Sequence, residues 1–419
     1  MARLSTAFLL WALVAAARAQ NFDELDRESG KPPEKTEDAA ASMSDDVEKA
    51  RRQMSDDVSA TLRAQAEDVE RLSTQMQAQY DEYLQSLQKQ REQLRAMVRR
   101  QWDDFQESTP KTWVEYNRTG DAMSKVDFEK GKVVVEALVP MDEVTSDKKP
   151  RAKASELDAA EREKARRLAQ EKLALQAQKA LAEKDNRGTP VLQDQIKDAK
   201  GRSLSPDQAP SFVRQTLAPK IHIDETPVIA EDGKPRLKVR VELDLVPEHL
   251  KIRAQRHAAR IGEAARKYNL DPALVFAVIH TESEFNPRAR SQAPAFGLMQ
   301  LMPKTAAREA YQFLYKQDKL LPPEYLYDPD NNILLGATYL HMLRTRHYGK
   351  IKNPENQRAL MIAAYNCGPG CVRKNILSKA DPDAVSHDEL LAIIRRSAPK
   401  ETAAYVPHVE SRLALYRGL

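Results

Sequence analysis

Between Ala39 and Glu107 the chain contains neither glycine nor proline and is rich in Gln, Arg, Glu and Asp. A run of that length with no helix breaker has few ways to fold except as a long helix. Val69, Leu72, Met76, Tyr80, Tyr83, Leu87 and Leu94 recur at steps of three, four or seven, a heptad-like stripe. Upstream of it, Met-Ser-Asp-Asp-Val stands at 43–47 and again at 54–58. Eleven residues make close to three helical turns, so the repeat returns to the same face. The stripe suits a coiled coil, through which the chain would self-associate or take a protein partner. It equally suits a solvated helix packed on its own domain.

Near Pro110 the texture changes. Thr112–Tyr116, Val126–Phe128 and Val133–Val139 have strand character, the last two joined by a Glu-Lys-Gly-Lys turn. A charged, Ala-rich helix follows over about 155–184. Leu237, Val239, Val241, Leu243 and Leu245 then alternate with Lys238, Arg240, Glu242 and Asp244, which predicts a strand with one wet face. Strands on either side of a helix describe a small α+β domain at 108–247 with the helix inserted. After Pro247 the pattern is helical to the end, giving an all-α domain at 248–419. Asp271-Pro272 provides an N-cap and a first-turn proline for a helix through Ser283. Ser386 and Glu389 have capping-box spacing. Asp328 and Asp330 read as caps of the helix at 332–343. The fold class is therefore α+β overall, with the long helix preceding both domains.

Charge and the first residues narrow the partners. The net charge is +4, but from Lys251 onward there are 25 Lys and Arg against 16 Asp and Glu. A basic C-terminal half suits an anionic partner. Arg3, the apolar run Ala7–Ala17 and Ala17-Arg18-Ala19 read as a secretory signal over 1–19. Export makes nucleic acid an improbable ligand and favours a cell-wall polymer. No cysteine stands near that site to carry a lipid, so the expectation is an exported, periplasmic chain, associated with wall or outer membrane without a lipid anchor. The only cysteines, Cys367 and Cys371, bracket Gly-Pro-Gly. In an exported chain they can pair or stay free, and two thiols alone do not complete a zinc site. No metal or cofactor is expected.

The chemistry concentrates on one helix. Val275, Val278, Ile279 and Glu282 share a face at i, i+3, i+4 and i+7. That puts a carboxylate at the end of an apolar stripe, in the last turn, where the helix dipole disfavours negative charge. Such a group holds its proton to unusually high pH, as a general acid must. Glu284, two residues on, is expected near the opposite face and solvated.

Around Glu282 the sequence resembles a known family. Glu282-Ser283-x-Phe285-Asn286-Pro287-x-Ala289-x-Ser291 and Ala295-x-Gly297-Leu298-Met299-Gln300-Leu301-Met302-Pro303 resemble the first two motifs of the lysozyme-like lytic transglycosylases. Ala364-Tyr365-Asn366-x-Gly368-x-Gly370 and Glu401-Thr402-x-x-Tyr405-Val406 resemble the third and fourth. Pro294 stands where that family more often has glycine. The resemblance implies a lysozyme-like catalytic domain with Glu282 as the single acid/base. It implies that Ser291, Gln300, Met302, Tyr365 and Asn366 line a sugar cleft, and that Tyr405 reaches the Glu282 carboxyl. Met302 and Tyr365 can also serve packing, and Gly368 a helix C-cap. Peptidoglycan glycan strands would be the substrate, cut between N-acetylmuramic acid and N-acetylglucosamine to leave 1,6-anhydro ends. Segments 111–116, 126–131 and 133–138 resemble the accessory domain of a membrane-bound, lipoprotein branch of the same family. A goose-type muramidase using water, or an inactive wall-binding scaffold, are the competing readings.

Overall fold

The computed structural model describes residues 36–418; the expected signal at 1–19 lies outside them. The chain forms two compact units, one ending at Thr74 and one spanning Gln75–Leu419. Elements are numbered here in chain order, with the shortest turns left unlabelled.

Helix α1 (Thr36–Arg99) is unbroken, as its lack of glycine and proline requires. In the first unit Val47, Met54, Val58, Leu62, Val69 and Leu72 are all exposed. In the second unit the stripe is covered by the chain itself. Tyr80 and Val98 are buried, Met76, Tyr83 and Leu87 half-buried, and only Leu94 stays exposed. Asp81 pairs with Lys304 at 3.0 Å, and the Tyr83 hydroxyl donates to Glu324 at 3.1 Å. From Met76 onward, the stripe therefore packs on its own domain.

A six-stranded antiparallel sheet follows. Its order is β1 (Thr112–Tyr116), β2 (Ala122–Asp127), β3 (Lys132–Pro140), β6 (Pro235–Asp244) and β4 (His222–Ile223), with β5 (Val228–Ile229) also on β6. Helix α2 (Ala159–Ala182) starts at a full capping box of Asp158 and Glu161. Its Ala165, Ala169, Leu173 and Ala177 share one hydrophobic core with Val135, Val239 and Val241 of the sheet. The opposite face carries Met123, Tyr116 and Leu138, covered by Val98 and Trp102 at the end of α1. The face of β6 expected to be wet is so only in part. Lys238 and Arg240 are half-buried around Asp224, at 3.7 and 3.5 Å, while Glu242 and Asp244 remain exposed.

The rest is helical: α3 (His249–Tyr268), α4 (Pro272–Ser283), α5 (Arg308–Tyr315), α6 (Pro329–Met342), α7 (Pro354–Cys367), α8 (His387–Ser397) and α9 (Lys400–Leu413). Asp271 caps α4 by accepting from the Ala273 amide at 2.9 Å, and Ser386 with Glu389 boxes α8. Asp328 caps α6 through the Asn331 amide, but Asp330 does not cap; its carboxylate meets Arg187 at 3.4 Å. One cap satisfies the free amide of that first turn, and Pro329 brings none, so a second acid there is available for another partner. Helix α4 is buried along its whole length from Ala273 to His280, which makes it the axis of this core. Among the described residues, no helix is long and apolar enough to cross a membrane.

Candidate active site

The buried helix α4 delivers Glu282 to its own C-terminal end. There the chain turns sharply, because Glu284 and Phe285 both take left-handed backbone, φ 53 and 57. Ser283 fastens the turn to the next loop by donating to the Leu298 carbonyl at 2.7 Å. Phe285 enters the core, and Asn286 donates to the Pro110 carbonyl at 3.1 Å. The facing loop is equally fixed. Buried Asn332 of α6 donates to the Phe296 and Leu326 carbonyls and accepts from the Met299 amide, at 2.9, 2.7 and 2.8 Å. A side chain on Gly297 (φ +74) would meet the Leu326 carbonyl at 2.3 Å, so only glycine fits this crossing.

Between these two supports lies a half-buried carboxyl with one direct partner. The Tyr405 hydroxyl of α9 donates to Glu282 Oε1 at 2.6 Å. Burial drives the Glu282 pKa up from 4.5 to about 7; the Tyr405 bond opposes the shift, nearby Glu401 adds to it and Lys111 opposes it. The group can therefore hold a proton near neutral pH and release it there.

Other expected site residues converge on the same ground. Tyr365 donates to the Met299 carbonyl at 2.8 Å. Gln300 has left-handed backbone (φ 46) and donates its amide to the Gly297 carbonyl at 2.9 Å. Its Oε1 is buried and accepts no hydrogen bond, an unmet demand that a sugar hydroxyl or amide would satisfy. Met302 is 40% exposed, so it is a surface residue here and not core packing. Asn366 is committed to the fourth motif, accepting from Thr402 at 2.6 Å and donating to Glu401 at 3.2 Å. Ser291 bonds within its own loop, to the Ala293 carbonyl and the Ala295 amide, and so shapes that loop. Cys367 and Cys371 are joined in a disulfide, and Gly368 caps α7 with φ +85.

Glu284 departs from expectation. It is not solvated but 3% exposed, with His280 at 3.1 Å, Arg412 at 3.2 Å and Lys111 at 3.6 Å. The helical wheel ceases to apply at Ser283, and the left-handed turn swings the side chain inward. Burial alone would raise the pKa of Glu284, but His280, Arg412 and Lys111 together hold it below the usual glutamate value. Buried Arg253 locks the same turn, donating to the Glu284 and Phe128 carbonyls at 2.9 Å each. Arg412, Lys111, Arg253 and Asn332 were given no site role from the sequence, and Glu401 stood there only as a member of the fourth motif. Only Asn332, a polar residue leading into an Ile-Leu-Leu run, left a local signal.

Comparisons with known proteins meet the stretch that carries this helix-end carboxyl. Residues 259–387 match the family described as the transglycosylase SLT domain. This stretch is an SLT domain. The chain is similar to membrane-bound lytic murein transglycosylase C of Klebsiella pneumoniae, 29% identical over 315 residues, or 74% of this chain and 80% of that protein. Its counterpart in Cronobacter sakazakii is 36% identical over 188 residues, 43% of this chain and about half of the other (49%). These relatives bear the name lytic murein transglycosylase. Among solved structures, the lytic transglycosylase Slt of Pseudomonas aeruginosa is 34% identical over 38% of this chain and 24% of that one, with a TM-score of 0.33. The SLT domain begins within α3 and reaches the start of α8, so it contains Glu282, Gln300, Met302 and Tyr365. Tyr405 lies beyond it in sequence.

Proposed function

We propose that the chain cleaves the β-1,4 bond between N-acetylmuramic acid and N-acetylglucosamine in peptidoglycan and leaves 1,6-anhydromuramyl ends. The observation that carries this reading is Glu282, half-buried, under the Tyr405 hydroxyl at 2.6 Å, with a pKa raised to about 7. The neutral carboxyl protonates the glycosidic oxygen as that bond breaks, and the sugar gains oxocarbenium character. The muramyl N-acetyl group supports the cation. Glu282, now ionised and held by Tyr405, takes the proton of the same sugar's 6-hydroxyl, whose oxygen closes on C1. The acid is regenerated and no water is consumed. Gln300, Met302, Tyr365 and Asn366 form the sugar cleft in this scheme, and Ser291 orders its rim.

Glu401 is the other carboxylate near Glu282, and it is engaged by Asn366. That engagement argues against its serving as the second acid of a hydrolase. The basic C-terminal half and the apolar N-terminal run favour action outside the cytoplasm, in the periplasm. The exposed stripe from Val47 to Leu72 is the surface through which the chain would self-associate or hold a protein partner.

Purified peptidoglycan treated with the mature chain and with Glu282→Gln decides the chemistry. Muropeptides lighter by one water, about 18 Da, and formed only by the unmutated enzyme are expected of an anhydro-forming lyase. Reducing ends would make it a muramidase, and no products from either would make it a scaffold.

A further inference from the structure

The eleven-residue repeat seen in the sequence continues along α1. Val47, Val58 and Val69 are spaced by eleven, as are Ala50, Thr61 and Leu72, and Met54 and Gln65. Eleven residues complete close to three turns, so these side chains form one stripe, with Leu62 at its edge. The next members of the same series are Met76, Tyr80 and Tyr83, which are buried or half-buried. Before them the series is bare: Val47, Met54, Val58, Leu62, Val69 and Leu72 are 44% to 62% exposed. A helix in water is held mainly by the packing of its apolar face, and this face is left to solvent.

The bare stretch is its own complement when two copies are laid antiparallel about Val58. Val58 then meets Val58 of the second copy, Val47 meets Val69, Ala50 meets Gln65 and Met54 meets Thr61. All four pairs share one centre, next to Val58. Each unlike layer sets a larger side chain against a smaller one, and valines fill the others. At the rim, Lys49 comes opposite Asp68 of the second copy, once at each end of the pair. Asp57 approaches its own counterpart beside the axis, at the solvated edge, where the repulsion is small. A parallel pair in register stacks like on like, so the thin layer of Ala50 on Ala50 lies beside the thick layer of Met54 on Met54.

We propose that α1 is a dimerisation stalk in which residues 47–72 of two copies pair antiparallel about Val58. The proposal rests on the reading of this stripe as an association surface, and it commits that surface to a second copy of the chain. It is independent of the glycan chemistry. The eleven-residue period sets a right-handed seam, and the isologous contact closes at two copies. The two chains leave the paired stretch at opposite ends, about 40 Å apart at 1.5 Å per residue. Two copies of the SLT domain are then tethered on one stalk, and a long polymer can be engaged twice.

Sedimentation of the full-length mature chain over a range of concentrations should give twice the chain's mass. Val58→Glu sets two carboxylates face to face on the axis and should weaken association about a hundredfold or more. The thermal unfolding of the SLT domain in that variant should stay as it was. Val47→Cys and Val69→Cys report the direction when each is purified, mixed with the other and oxidised. A disulfide should join the two variants and should not form within either alone. The Cys367–Cys371 pair is already bonded and does not compete. Disulfides formed within each variant alone would mean a parallel pair and overturn the proposal. So would a dimer that Val58→Glu leaves intact, since its interface would lie elsewhere. A monomer at every concentration would overturn self-association itself and leave the stripe to a different protein.

Discussion

Removing one oxygen atom, in Tyr405→Phe, isolates the contact on which the proposed acid depends. Burial raises the Glu282 pKa to about 7, and the 2.6 Å bond from Tyr405 works in the other direction by favouring the ionised carboxylate. A hydrogen bond to a charged group contributes roughly 1.5–3 kcal/mol. The protonated carboxyl also bonds to the hydroxyl, more weakly, so the difference between the two states lies near the bottom of that range. One pKa unit corresponds to about 1.4 kcal/mol, so Glu282 should rise by about one unit, to roughly 8. The sign is fixed, because losing a donor that favours the charged form can only delay ionisation. The basic limb of kcat/KM, which reports the free enzyme's acid, should therefore move from about pH 7 to about pH 8. The plateau should fall as well, since the carboxyl loses its orientation. Initial rates of release of soluble muropeptides, followed from about pH 5 to 9, read both effects. A basic limb that stays in place or moves down would refute the assignment of Glu282 as the proton donor.

Three further outcomes follow from the same geometry. Glu282→Gln should stabilise the fold only at higher pH. The carboxylate, with pKa 4.5 when exposed and about 7 here, costs nothing below pH 4.5, and its penalty of about 3 kcal/mol accumulates as pH rises to 7; equal Tm gains at pH 4 and pH 8 would contradict this. Glu284→Ala strips the shared anion from His280, Arg412 and Lys111 and should cost about 3 kcal/mol in chemical unfolding, with kcat falling more than KM. Gly297→Ala sets a methyl 2.3 Å from the Leu326 carbonyl in a left-handed backbone, and a loss of about 3 kcal/mol or more should appear as a lowered Tm.

Local chemistry was legible in the sequence wherever it depended on neighbours along the chain. Asp271 with Pro272, and Ser386 with Glu389, start their helices where capping rules put them. The alternation of 237–245 gives β6, and the last-turn position of Glu282 follows from the stripe before it. What was not legible came from across the fold. Arg253 reaches the Phe128 carbonyl over 125 positions, and Lys111 approaches Glu284 from the sheet. No spacing rule connects such pairs. Glu284 misled for a different reason: periodicity was carried two residues past the point where the helix ends. The stripe of α1 satisfied two readings equally, because a periodic apolar face specifies that something covers it and not what does.

The abrupt end of α4 explains why these long-range contacts gather where they do. Two successive non-glycine residues in left-handed backbone cost about 1–2 kcal/mol each, so Glu284 and Phe285 hold that shape only if other contacts impose it. Phe285 is anchored in the core, and Arg253 takes the Glu284 carbonyl. Helix α9 acts on both sides of the turn at once, since Tyr405 and Arg412 lie seven residues apart on one face. The first donates to Glu282 and the second to Glu284. Ending the helix there exposes Glu282 to the cleft while its stem stays in apolar surroundings. A helix that continued would have carried Glu284 out to solvent and freed Arg412 and Lys111 from it. The strained turn, the buried anion and the raised acid are thus one device, held by α9 on one side and by the sheet, through Lys111 and Phe128, on the other.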